Sequence, residues 1–113
     1  MLQDWKALVT NGGDAIGSLA KGNSGIMQGI VTLSKAEEAK GALDKKTREL
    51  IALAVAATTR CDTCIAIHTA EAVKAGATRD ELLEALAVAV SLNAGAALVY
   101  SSRILEAYDQ FVK

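Results

Sequence analysis

Cys61, Cys64 and His68 are the only cysteines and the only histidine of this chain, and all three lie in one segment, Cys61-Asp62-Thr63-Cys64-Ile65-Ala66-Ile67-His68. Two thiols two residues apart can form and break a disulfide, and a nearby imidazole can take up or return a thiol proton. On one helix, positions 61, 64 and 68 fall within roughly 60° of arc, so the three side chains share a face. Cys64 and His68 are one turn apart, close enough to touch. A helix starting at the first cysteine would offer unpaired N–H groups and a positive dipole end to a thiolate. In such a place a thiol pKa falls from about 8.5 toward neutrality.

Glu49 is a candidate for the same site by a longer route. It stands near the head of the apolar run Leu50-Ile51-Ala52-Leu53-Ala54-Val55-Ala56-Ala57. A helix over 45–59 puts it roughly 15 Å back along the axis from Thr59, at about 1.5 Å per residue. If the cysteine helix folds back antiparallel, as a short connection favours, His68 lies roughly 9 Å down the second helix, leaving an axial gap of about 6 Å. Two side chains, with or without a water, can span that gap. Otherwise Glu49 is a solvated first-turn acid after Lys45, Lys46 and Arg48. Zinc is a rival use of the cluster: Cys61, Cys64 and His68 as three ligands, with Asp62 or water as the fourth. Structural zinc sites usually draw on two separated ligand pairs, and no second pair exists here. No metal or cofactor is therefore expected.

The elements that position these residues read as helices throughout. Period-two alternation is absent and there is no proline. Residues 5–19 form a weak helix, interrupted at Asn11-Gly12-Gly13, with Asp14 able to cap a restart. Trp5 is an anchor against the core or a neighbouring subunit. A turn over 21–25, with Ser24 as cap, leads to a helix over 26–39. Asp44 caps the helix over 45–59, which is apolar on nearly every face and so central. The next helix starts near Cys61 or Asp62 and runs to 75, where Gly76 stops it. Thr78 and Glu81 form a capping box for a helix to 92. After a break at Asn93-Ala94-Gly95, residues 96–111 form the last helix, with Leu98, Val99, Ile104, Leu105 and Tyr108 inward. The expected fold is all-α, five to seven helices, in one domain over 1–113.

Composition narrows the function. The chain is 51% apolar but only 4% aromatic, so its apolar content is mostly small and aliphatic. Such side chains bury little area each, and part of the apolar surface is expected between subunits. The net charge of −1, with both signs interspersed, speaks against nucleic acid. Residues 85–102 carry no charge, but Ser91, Asn93, Gly95, Ser101 and Ser102 interrupt them, so core or interface packing is expected rather than a membrane span. Met1-Leu2-Gln3-Asp4-Trp5-Lys6 lacks the pattern of a secretory leader, and a cysteine pair in a reducing, cytoplasmic setting is catalytic or metal-binding rather than structural.

Glu49, eleven intervening residues, Cys61-x-x-Cys64 and then x-x-x-His68 resembles the motif of the AhpD-like alkylhydroperoxidases, within the carboxymuconolactone decarboxylase superfamily. The likeness is strongest over 45–76, and the first 40 residues match loosely. The resemblance implies an AhpD-like helical bundle with the Cys-x-x-Cys at the start of a central helix, assembled as a trimer or hexamer. It implies a thiol peroxidase in which Cys64 attacks the hydroperoxide and Cys61 resolves it by forming a disulfide. His68 and Glu49 would relay the proton, and a lipoyl-carrying or thioredoxin-like dithiol protein would supply electrons. A thioredoxin-like reading makes Cys61 the nucleophile instead, as the residue nearer the helix start. Two departures stand out. Peroxidases of this type carry a histidine just before the second cysteine, where this chain has Thr63, and they contain two copies of the helical unit, where this chain has about one. The alternatives are a general disulfide oxidoreductase, a metal-binding oligomeric module and, lower, a lactone decarboxylase, since the decarboxylases generally lack the cysteine pair.

Overall fold

A computed structural model describes all residues, 1–113, and every regular element in it is a helix. The six are α1 (Trp5–Gly22), α2 (Ser24–Glu38), α3 (Lys45–Thr59), α4 (Asp62–Lys74), α5 (Arg79–Leu92) and α6 (Ala94–Phe111). No helix is long and apolar enough to cross a membrane.

Local chemistry sets most of the boundaries. The Asp44 side chain accepts from Thr47 N–H at 2.8 Å, which starts α3 where expected. Thr78 and Glu81 make the reciprocal capping box of α5. Gly76, at φ 85°, ends α4: its N–H bonds Val73 O and that of Ala77 bonds Ala72 O, the paired bonds of a left-handed stop.

Four expectations need correction. The first helix does not break at Asn11-Gly12-Gly13; α1 runs unbroken through them. A Cβ on Gly12 would lie 2.7 Å from Thr63 Cγ2, so this glycine is where α1 approaches α4 rather than a turn. Ser24 is not the cap of α2: Asn23 accepts from Gly25 N–H and alone separates α1 from α2. Likewise Asn93 alone separates α5 from α6, and Ala94 and Gly95 are already helical. Starting at Ala94, α6 turns Ala97, Ile104, Ala107 and Tyr108 inward and leaves Leu98 and Val99 63% and 60% exposed. Apolar residues crowd every side of that helix's first turns, so hydrophobicity alone gave no phase.

Packing places α3 at the centre, against α4, α5 and α6. Its Leu53, Ala56 and Ala57 are buried with Ile65 and Ala66 of α4, Leu82 and Leu86 of α5, and Ile104 of α6. Most of the buried apolar side chains are alanine, which lets the helices come close while burying little area per residue. Trp5 is fully buried against this core. Its indole N–H donates to Glu106 at 2.9 Å and its backbone N–H to Gln110 at 2.8 Å, which pins the chain's start to α6. By contrast α2 buries no residue, and rests chiefly on α1.

Candidate active site

Arg60 takes the left-handed conformation, φ 57°, and ends α3 with its N–H on Ala56 O. The chain then reverses in one step, because Cys61 is extended and Asp62 already begins α4. Cys61 is therefore the N-cap rather than a helical residue. Its Sγ accepts from Cys64 N–H at 3.3 Å, and the two cysteines are joined as a disulfide with their Cα atoms 5.2 Å apart. The sulfur of Cys61 thus sits at the positive end of α4, while Cys64 lies one turn before His68.

The sharp reversal also brings Glu49 to His68. Nδ1 of His68 donates to Glu49 Oε2 at 2.7 Å, with no water between. The Glu49 side chain is 14% exposed and that of His68 36%. One turn further along the same antiparallel register, Lys45 bonds Glu71 at 2.6 Å. Lys45 holds the Glu71 carboxyl below the usual carboxylate range, chiefly through that hydrogen bond. The pair is partly exposed and worth little in stability, but it marks the register that sets Glu49 opposite His68.

Cys64 and His68 open onto a cleft of about 300 Å³ that Ile51, Val55 and Ala56 line together with Arg48 and Glu37. Cys61 does not line it. Ile51 and Val55 continue into a second groove of about 470 Å³ between α3 and α5, with Val88 and Leu92 on its far side.

The residues between the cysteines face elsewhere. Asp62 accepts two bonds from the Arg103 guanidinium of α6, at 2.7 and 3.1 Å. Arg103 in turn lies over the rings of Trp5, at 5.3 Å, and Tyr100, at 5.5 Å. Asp62, considered as a fourth metal ligand, is thus given to Arg103, and no group of three or more His, Cys, Asp or Glu side chains is placed to hold a metal ion. Thr63, where peroxidases resembling this chain carry a histidine, packs against Gly12 of α1. Sequence reasoning missed Arg103 and Gly12. Arg103 stands 41 positions from Asp62, with no spacing to suggest the pair, and Gly12 carried only the signal of a helix breaker.

Comparison with known proteins bears on the family and the fold. The model of the carboxymuconolactone decarboxylase family matches residues 25–107. An uncharacterized protein from Haemophilus influenzae is 51% identical over 109 residues, covering 96% of both chains. Uncharacterized protein 4 in the cox locus of Paracoccus denitrificans is 40% identical over 96 residues, 85% of this chain and 86% of that one. The crystal structure of an apo carboxymuconolactone decarboxylase family protein from Legionella pneumophila superposes with a TM-score of 0.90 at 38% identity, over 96% of this chain and 97% of the other.

Proposed function

This chain belongs to the carboxymuconolactone decarboxylase family, and on that premise we propose that it is a thiol-dependent peroxidase reducing small or alkyl hydroperoxides. The observation that carries the reading is the cleft shared by Cys64 and His68, with His68 held by Glu49. Glu49 takes the Nδ1 proton in its hydrogen bond and leaves Nε2 as the basic nitrogen. In the reduced protein Nε2 accepts the Cys64 proton, directly or through a water. The Cys64 thiolate attacks the outer peroxide oxygen; the O–O bond breaks, Cys64 becomes a sulfenic acid, and the alkoxide leaves as the alcohol with the proton from His68. The Cys61 thiol then attacks the Cys64 sulfur, forming the disulfide and releasing water. A lipoyl-carrying or thioredoxin-like dithiol protein returns two electrons and two protons.

The same reading places the protein in the cytoplasm as a trimer or hexamer. Exposed Ile51, Val55, Val88 and Leu92 along the α3–α5 groove support association with further copies of the chain. A second reading, a disulfide oxidoreductase that leaves peroxide untouched, draws on the Cys61 sulfur at the start of α4, where a thioredoxin-like nucleophile would sit. Lactone decarboxylation ranks below both, because the cleft presents a cysteine of a redox pair.

Mass spectrometry after one equivalent of an alkyl hydroperoxide separates the readings. The reduced parent should become the Cys61–Cys64 disulfide, and Cys61→Ser should carry a trappable sulfenic acid on Cys64. Thiols left unchanged by peroxide would overturn the peroxidase reading.

A further inference from the structure

Asp62 is an ionisable acid that stands between the two cysteines in sequence, in the first turn of the helix whose positive end faces Cys61. A carboxylate there competes with a thiolate for the same N–H groups and repels it. Arg103 meets that carboxylate with a two-pronged contact from α6 and is itself clamped over Trp5 and Tyr100, so its position owes nothing to the sulfurs. The Arg103 side chain is 20% exposed, and solvent screens the pair only in part. The other titratable and charged groups that face this turn are His68 and its partner Glu49 of α3, Arg48 of α3 and Glu37 of α2 in the cleft with Cys64, Arg60 in the connection, and Glu106 of α6, which bonds the Trp5 indole under Arg103; α1 meets the turn with the uncharged Gly12.

We propose that Arg103 is a positioning residue of the cysteine pair: it neutralises Asp62 and anchors the first turn of α4, so that the acid between the cysteines does not oppose formation of the thiolate. This deepens the redox reading of Cys61 and Cys64 and requires only that the pair be reversibly reducible, not that peroxide be the oxidant. The equilibrium affected is the exchange of the protein disulfide with two glutathione thiols to give the protein dithiol and glutathione disulfide, two electrons and two protons passing to the protein. Ionisation of the dithiol pulls that exchange toward reduction.

The signs of two substitutions make the test. Arg103→Met leaves Asp62 unpaired in the first turn of α4, so the lower thiol titration midpoint of the reduced protein, followed by thiolate absorbance, should rise by about one unit. Asp62→Asn leaves Arg103 unpaired and should lower that midpoint by a similar amount. In glutathione buffers at mildly alkaline pH, the fraction reduced at equilibrium should fall in the first variant and rise in the second. The double variant should return to within about twofold of the parent constant, since paired terms largely cancel in such a cycle. A purely structural role predicts shifts of one sign in both single variants, additive in the double, and that result, or no shift in either, would overturn the proposal. Should Arg103→Met fail to fold, Asp62→Asn still decides: a midpoint that stays or rises overturns it. Failure of the redox reading is seen separately, as a parent disulfide that glutathione does not reduce at any ratio.

Discussion

At the scale of single residues, three side chains divide the proposed chemistry. Cys64 faces the cleft, His68 is one turn away, and Glu49 fixes which imidazole nitrogen is free. His68→Ala should cut hydroperoxide consumption by roughly 10²–10⁴, the range for loss of a positioned base. Glu49→Gln keeps the shape but removes the carboxylate, and should cost less than His68→Ala while shifting the pH profile of the rate. Stopped-flow assays of peroxide loss with a dithiol reductant measure both, and a Glu49→Gln variant at parent rate across pH would remove Glu49 from the relay. Thr63 makes no bid for the relay, since its methyl group is against Gly12. A larger residue at 63 would have to displace α1.

At the scale of elements, the tightest constraint on the site is the approach of α1 to α4. Gly12 and Gly13 are neighbours in α1 with opposite surroundings: a Cβ at 12 meets Thr63, and one at 13 meets nothing within 4 Å. Gly13→Ala should therefore stabilise by about 0.5–1 kcal/mol through helix propensity. At Gly12 the same gain is outweighed by overpacking of about 1–3 kcal/mol against a stiff β-branched side chain, so Gly12→Ala should destabilise. In a Thr63→Ala background that sign should reverse. Denaturant unfolding of the parent, the three single variants and the double variant measures this. Much of the architecture was legible in the sequence because it is written in local chemistry: Asp44 and the Thr78–Glu81 box start their helices, and Gly76 ends one. The cluster of Cys61, Cys64 and His68 was legible for the same reason, and the turn after Thr59 was enough to argue Glu49 into reach. What was not legible depends on contacts between distant segments. Gly12 reads as a breaker until α4 lies against it, and the inward face of α6 cannot be read when Ala97, Leu98 and Val99 are all apolar. Arg103 has no local signal at all.

At the scale of the molecule, the two ends of the chain are stitched together. Glu106 accepts from Leu2 N–H at 2.9 Å, from Gln3 N–H at 3.1 Å and from the Trp5 indole, while Gln110 bonds Trp5 and Gln3. The backbone N–H of Leu2 is the main reason the Glu106 carboxyl is held below the usual carboxylate range. A depressed carboxyl contributes stability that is complete above its unfolded value, about 4.3, and that drains away as pH falls through its lower folded value. Stability measured from neutral pH into acid should therefore fall less steeply in Glu106→Gln, which starts lower at neutral pH. Equal slopes would show that this carboxylate does not carry the clasp. The opposite case is α2, tied to its neighbour through the single residue Asn23 and burying nothing. Its backbone amides should exchange with deuterium by local opening well before those of α3, whose opening requires the whole core to unfold. Glu37 belongs to α2 and lines the Cys64 cleft, so each excursion of this helix takes a carboxylate out of that lining. The charge facing Cys64 is then a time average, set by how often one lightly packed helix lets go.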